Sequence, residues 1–536
     1  MSISTPRARR KSGVARGRGT GRISRFRCKD VNTVQLGNLI NRAVGECLLP
    51  PGAESIEVRS VCCDSRAAEP GCLFVAVPGR SADGAAFARD AAARGAVAVV
   101  ADADARLEVD IPVIRIPDAR QALARLAALL CGLDAAQAGG AYPAIGITGT
   151  NGKSTTAYMI RGLLRAAGKR SALLGTIEYD LVGRKAPSSL TTPDPILLAK
   201  YLVEAREHGA EAIVMEASSH SLDQRRTDGI RFDVGVFTNL TQDHLDYHAS
   251  LEDYFLAKRR LFDRLDERAA AVVNIDDPAG PRMTEQCRAR VTTYGIREPA
   301  DIRARVTRED RRGCRFVLEA GALTMEVFTP LVGRHNIYNA LAAAGAAMAL
   351  GISPDAIRLG LAEVERVPGR LQRVPTGNLG FDIYVDYAHT DDALRNVLRA
   401  VRPLTKGRLW CVFGCGGDRD RTKRPLMARA VAELADRFVI TSDNPRTEDP
   451  VRILADIERG LPPGGSGHDR TVADRRQAIY YAVERLEVGD TLVIAGKGHE
   501  DYQIIGTAKH HFDDVEVASE AVVRREAGVD ATAHVA

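Results

Sequence analysis

The feature that most constrains the fold is the run AIGITGTNGKSTTAYMI, where an apolar stretch from Ala144 to Thr148 passes directly into a glycine-rich turn and then into a helix-period segment. In that segment Ile160, Leu163, Leu164 and Ala167 share one face, so the order is strand, loop, helix. Glycines let backbone N–H groups turn toward phosphate oxygens, and the amino end of the following helix favours negative charge. Gly149, Thr150, Asn151, Gly152, Lys153, Ser154 and Thr155 are therefore read as the cradle for the phosphates of ATP, with Lys153 reaching the terminal phosphates and Ser154 a ligand for Mg²⁺. The spacing is GxxGKS, tighter than the general GxxxxGKS, because Ile147 stands where that pattern has its first glycine.

From about Asp30 onward short apolar runs alternate with helix-period segments, which predicts α/β architecture on mostly parallel sheets. The expected division is a disordered basic tail over 1–29, a first domain over 30–122, a central ATP-binding domain over 123–368 and a Rossmann-like third domain over 369–536. In the third block the strands FDIYVDYA, RLWCVFGCGG, RFVITSDN and DTLVIAGKG each end in polar or glycine residues, where open parallel sheets bind ligands.

Charge narrows the function classes. The formal net charge is +5, but residues 1–29 hold ten Lys or Arg and no acid, so the remaining 64 basic and 69 acidic residues leave a body of −5. Such a body is not a nucleic-acid surface by charge, and no apolar run approaches the roughly 20 residues of a membrane span. The ten cysteines contain no CxxC pair, which argues against zinc and fits thiols in a reducing cytoplasm. The expected enzyme is a cytoplasmic monomer with no nucleic-acid or membrane partner.

Magnesium needs oxygen ligands besides phosphate. Glu216 ends the apolar strand EAIVME and His244 follows VGVF within TNLTQDHLDYH, which puts both at the sheet edge that carries the phosphate loop.

GTNGKST, MEASSH, TNLTQDHLDYH, GRHNIYNAL, DYAHT and FGCGGDRDRTKRP together resemble the Mur ligases, which build the peptide of bacterial peptidoglycan precursors; the resemblance runs from Val61 to Ile505. It implies three domains, for the UDP end of the substrate, for ATP and for the incoming amino acid. It also implies a catalytic role for Lys153, catalytic and magnesium roles for Glu216, His244 and a carbamylated Lys258, and an adenine-side role for Asn336 and Asn339. From the residues alone Lys258, in YFLAKRRLF, reads as one more exposed helix lysine.

DNPR and GKGHE are similar to members that add meso-2,6-diaminopimelate to UDP-N-acetylmuramoyl-L-alanyl-D-glutamate through an acyl phosphate. For the UDP-sugar-dipeptide the resemblance implies Cys63, Ser65, Arg80, Ser81 and Ala82 near the nucleotide, and Thr191, Thr192, Ser218, Gln224 and Arg226 nearer the sugar and peptide. For the amino acid it implies Arg419, Asp443, Asn444, Pro445, Arg446, Gly496 and Glu500. Arg446 offers a planar fork for a distal carboxylate and Glu500 an acceptor for an ammonium, a pair that lysine would not need. His389 is a candidate base or a structural histidine. Two departures stand out: Leu190 where some relatives place a polar residue, and Asp391 where DYAHTPDAL has proline, which affects how a helix starts. The rival readings are a folylpolyglutamate-synthetase-like enzyme and a phosphate-loop binding protein with a basic arm on a polyanion.

Overall fold

The computed structural model describes residues 33–79, 82–133, 142–244, 247–464 and 467–528. The expectations for the tail 1–29, Arg80 and Ser81 lie outside the described residues. Three sheets carry the fold. In the first, strands Ser60–Cys62, Cys72–Ala76, Ala96–Asp102 and Val113–Ile116 run parallel in that order. Every residue of Cys72–Ala76 is buried, since a parallel strand is covered on both faces. Helices Leu36–Val44 and Ala119–Leu130 bury Leu39, Ile40, Leu123 and Leu126 on one face, while Ala88–Ala93 sets Ala88 and Ala91 against Phe74 on the other.

The second sheet has eleven strands among the described residues. At its centre six parallel neighbours follow the order Ser171–Leu174, Ala212–Glu216, Ala144–Thr148, Val234–Phe237, Ala270–Asn274 and Arg290–Gly295. The chain leaves Ala144–Thr148 to build one side of the sheet and later returns to build the other. A crevice therefore opens beyond Thr148, where strand order reverses. Helices Lys153–Ala166 and Arg334–Ala349 cover one face through Met159, Ile160, Leu163, Leu341 and Ala344. Ala167 closes the first helix as its cap rather than extending the buried face. The antiparallel extension Ile302–Asp310, Gly313–Ala320 and Leu323–Thr329 departs from the mostly parallel expectation, and its last strand is only partly buried.

In the third sheet Gln372–Val374 pairs antiparallel to Asp382–Asp386, and Thr491–Ala495, Leu409–Cys415, Arg437–Ser442 and His468–Val472 follow in parallel. One helical layer packs Leu394, Leu398, Met427 and Ile453 on it, and the other packs Ile479, Val483, Val517 and Val522. Asp386, Cys415, Ser442 and Ala495 thus end side by side on one edge. Arg475 fastens that edge from beneath: fully buried, it pairs with the equally buried Asp514 at 2.7 Å and donates to the carbonyls of Ala495 (2.9 Å) and Ser442 (3.4 Å). Asp391 and Asp392 open helix Asp391–Val401 behind the capping Thr390, where acidic side chains suit the helix amino end. Among the described residues no helix is long and apolar enough to cross a membrane, and no disulfide joins two of the cysteines.

Candidate active site

Gly149 to Thr155 form the turn between the central strand and its helix, and the turn works only with glycine at two positions. Gly149 has φ +149°, and a methyl group there would lie 1.8 Å from Thr238 Oγ1. Gly152 caps the helix at φ +87°, where a methyl group would lie 2.4 Å from Asn339 Oδ1. The next strand end clamps the loop. Thr150 N–H donates to Asn239 O (2.8 Å), Asn151 N–H to Asn239 Oδ1 (2.9 Å), and Thr238 Oγ1 to Asn151 O (2.6 Å). Lys153 Nζ folds back onto the carbonyls of Gly149 and Thr150, both at 2.8 Å. Ser154 and Thr155 are buried, and Ser154 Oγ accepts from Arg370 Nη2 at 3.2 Å.

Beside this loop stand the three expected metal-side residues. Glu216 is buried at the end of its strand, and Thr176 donates to both its oxygens, from the backbone N–H at 2.9 Å and from Oγ1 at 3.0 Å. His244 sits at φ +56° with its N–H on Asp243 Oδ1 (2.8 Å) and its ring 4.8 Å from that of His220. Lys258 overturns its reading as an exposed lysine: it is 1% exposed, donates to Gly149 O at 2.9 Å and lies 4.2 Å from the Tyr254 ring. Two lysine Nζ atoms thus share the Gly149 carbonyl. Burial, and then the charge of Lys153, hold the Lys258 pKa well below the ordinary lysine value, with Asp243 acting against them. Burial likewise lowers Lys153, opposed by Glu216 and Asp243. Burial raises Asp243, but His244, His389 and Lys153 outweigh it and leave its carboxyl below the usual range.

The paired amides are occupied. Asn336 Nδ2 donates to Val332 O (2.8 Å), Asn339 Nδ2 to Asn336 Oδ1 (3.0 Å), and Asn339 Oδ1 accepts from Thr156 Oγ1 (3.4 Å). They fasten helix Arg334–Ala349 to the phosphate loop.

Toward the first sheet, Thr191 Oγ1 meets Thr176 Oγ1 at 3.1 Å, and the fully buried Thr192 donates from Oγ1 to Glu216 O at 2.7 Å. Ser218 caps helix Ser219–Asp223, while Arg226 donates to Thr192 O (3.0 Å) and to Gln224 Oε1 (2.6 Å). Thr192 touches Glu216 directly, Ser218 and Arg226 join it through Thr192, and Gln224 joins through Arg226. On the first sheet Cys63 is exposed, Ser65 buried and Ala82 exposed.

On the third sheet the DNPR and GGDRD turns meet backbone to backbone: Gly417 N–H donates to Asn444 O (2.9 Å), and a methyl group on Gly417 would lie 1.9 Å from Pro445 O. Arg446, at φ +52°, donates from Nη1 to Gly417 O at 2.7 Å. Arg419 is exposed on the same turn. Gly496, at φ +120°, leaves room for Asp443, whose Oδ2 would be 2.7 Å from a methyl group there. Asn444 Nδ2 donates to Glu500 Oε2 at 2.9 Å. His389 Nδ1 donates to Tyr387 O (2.8 Å), which leaves Nε2 as the acceptor, and burial lowers its pKa.

Three family profiles match in sequence order: the Mur ligase family catalytic domain over 57–130, the Mur ligase middle domain over 147–347 and the Mur ligase glutamate ligase domain over 369–498. The chain belongs to the Mur ligase family. Among its Mur ligase relatives, the UDP-N-acetylmuramoyl-L-alanyl-D-glutamate–2,6-diaminopimelate ligase of Geobacter metallireducens is 44% identical over 490 residues, covering 88% of this chain and 95% of that one. The ligase of the same name from Gloeobacter violaceus is 46% identical over 471 residues, with 88% and 95% covered. A solved structure of a ligase of that name has 34% identity and a TM-score of 0.67, covering 92% of this chain and 100% of its own. A MurF ligase of Thermotoga maritima, solved with ADP, shares the fold at 19% identity and a TM-score of 0.57, covering 87% of this chain and 99% of its own.

Several residues of this Mur ligase site escape a reading along the sequence. Thr176, Thr238, Asn239 and Arg370 hold or touch the loop and Glu216, yet none lies in a pattern that points to phosphate. Thr238 and Asn239 fall inside TNLTQDHLDYH, so their position just after a strand was the available signal. Arg370 lies outside every segment singled out.

Proposed function

We propose that this ligase joins meso-2,6-diaminopimelate to the D-glutamyl carboxylate of UDP-N-acetylmuramoyl-L-alanyl-D-glutamate in the cytoplasm, with ATP and Mg²⁺. The observation that carries the amino-acid assignment is that the turn after strand Arg437–Ser442 places Arg446 two residues from Asn444, whose Nδ2 donates to Glu500 Oε2 beyond strand Thr491–Ala495, so a fork for a carboxylate and an acceptor for an ammonium flank Asn444. The names of the relatives at 44% and 46% identity support the same substrate.

The residues suit the chemistry. The N–H groups at the helix end of the loop, from Gly152 to Thr155, and Lys153 would gather the phosphates, and Lys153 offsets the repulsion between ATP and the substrate carboxylate. Ser154, Glu216, His244 and a carbamylated Lys258 would hold Mg²⁺; bound there, the ion supplies charge neutralisation on the transferring phosphoryl group. The donor set fits: Glu216 accepts two hydrogen bonds and keeps further lone pairs, and no three His, Cys, Asp or Glu side chains among the described residues form a cage of their own. That suits an ion that takes much of its shell from phosphate and water. Burial and the charge of Lys153 disfavour the charged form of Lys258, and the free amine is the form whose nitrogen bonds to the carbon of CO₂ and releases its proton, leaving an anion beside Lys153. Thr191, Thr192, Ser218, Gln224 and Arg226 would orient the sugar and peptide so that the glutamyl carboxylate meets the γ-phosphoryl group. The amine of the amino acid then displaces phosphate from the acyl phosphate. Cys63, Ser65, Arg80, Ser81 and Ala82 are assigned to the UDP end, Asn336 and Asn339 to the adenine side, and Arg419, Asp443, Asn444, Pro445 and Gly496 to the amino acid.

An amino-acid panel read by ADP release tests this. ADP should appear only with UDP-sugar-dipeptide and diaminopimelate together. Equal turnover with lysine would overturn the specificity assignment.

A further inference from the structure

Lys497 is a buried cation that the proposed reaction does not use. Its side chain is fully enclosed, although a lysine seldom is unless it is paired. Its Nζ donates to Glu500 Oε2 at 3.2 Å and to Asn444 Oδ1 at 3.4 Å, and stands 5.4 Å from the Tyr502 ring. Asn444 Nδ2 also donates to Glu500 Oε2, so Lys497, Asn444 and Glu500 close a triangle between the strand ends Ser442 and Ala495. The hairpin Tyr502–Ile505 with Ala508–His511 locks the triangle from outside, since Ile504 N–H donates to Asn444 Oδ1 at 2.9 Å and Arg446 N–H to Ile504 O at 3.0 Å.

We infer that Lys497 is a positioning residue for the amino acid: by binding one oxygen of Glu500 and the amide of Asn444, it turns the other Glu500 oxygen, Oε1, toward the distal ammonium of the incoming substrate. The inference rests on the proposed amino-acid site. Glu500 Oε2 is engaged twice within the protein, and no hydrogen bond among the described residues engages Oε1. A partly buried carboxylate left without Lys497 is free to rotate, and that rotation removes a fixed acceptor for an ammonium. A neutral side chain of similar length fills the volume but lacks the donor.

The experiment is steady-state kinetics on the full chain for K497M, E500Q and the double variant, with ATP, UDP-sugar-dipeptide and amino acid varied in turn, after the wild-type amino-acid panel. K497M should raise KM for the amino acid about tenfold or more while KM for ATP stays within about twofold, as loss of a buried charge partner acting at one subsite requires. The double variant should be little worse than E500Q, because Lys497 acts through Glu500. Additive losses, or equal rises in KM for ATP and amino acid, would overturn the inference and leave Lys497 a packing residue. Should the panel select an amino acid other than diaminopimelate, the substrate assignment fails, and the same cycle with that amino acid still decides the role of Lys497. Should K497M not fold, K497R, which keeps the charged donor, is compared with the uncharged K497Q: a selective KM defect in K497Q beyond that in K497R supports the role, and equal defects refute it.

Discussion

Gly175 gives the most direct handle on Glu216, because it disturbs the carboxylate without altering its chemistry. Its φ lies outside the left-handed region, so the backbone accepts alanine, but the added methyl group would lie 2.3 Å from Glu216 Oε1 and 3.1 Å from its Cδ. Ordinary contact between carbon and oxygen is nearer 3.3 Å, so the carboxylate must retreat by roughly 1 Å. That retreat stretches or breaks the bonds from Thr176 N–H (2.9 Å) and Thr176 Oγ1 (3.0 Å). Hydrogen bonds to a charged group contribute about 1.5–3 kcal/mol each, and removing a glycine from the unfolded chain returns about 0.4–1 kcal/mol, so weakening the two bonds by the equivalent of one should cost about 1–2 kcal/mol net. The effect on turnover should be larger, near a hundredfold, because a displacement of that size in a group that positions the reacting phosphoryl costs about that much. T176V removes only the Oγ1 bond and should lose about tenfold, on the scale of one charge-assisted bond. Turnover is read as ADP release at saturating substrates, with thermal unfolding measured on the same samples. G175A with turnover within a factor of about three of wild type would refute the claim that the placement of Glu216 matters to the reaction.

K153A should abolish ligation while leaving the unfolding temperature within a few degrees of wild type, and retained turnover would remove the phosphate role of Lys153. R446A should raise KM for diaminopimelate by about tenfold to a hundredfold with KM for ATP unchanged, because a bidentate charge-assisted contact is lost. K258M should end turnover and yet stabilise the protein at neutral pH in CO₂-free buffer by about 1 kcal/mol or more, read by denaturant unfolding. The sign follows from linkage: the folded state holds the Lys258 pKa well below that of the unfolded chain, so folding must expel a proton below the unfolded value. That penalty shrinks as pH rises toward the ordinary lysine value, so the stability gap between K258M and wild type should narrow from pH 7 to pH 10. A gap that widens would contradict the lowered pKa.

What the sequence discloses here depends on whether a function is contiguous. The phosphate loop is contiguous: strand, glycines and helix lie within about two dozen residues, and each neighbour constrains the next through local geometry. The strand-end carboxylate Glu216 is readable because an apolar run that stops at an acid marks a sheet edge. Lys258 is not, because its burial comes from the helix Leu251–Asp263 docking its inner face beneath Gly149, a contact across more than a hundred residues that no local pattern records. Only resemblance pointed to it. Arg475 and Asp514 mark the same limit from the structural side: both are charged, neither lies in a motif named above, and both are fully enclosed beneath the strand ends Ser442 and Ala495. Replacing one of them would leave a buried, unpaired charge, which costs about 3–5 kcal/mol. The carbonyls of Ser442 and Ala495 that Arg475 holds belong to the strands that deliver Asp443, Asn444 and Gly496. The edge proposed to recognise the amino acid is thus fixed from below by an ion pair and from above by the hairpin that carries Tyr502, so its precision is a property of the packed domain rather than of the DNPR segment.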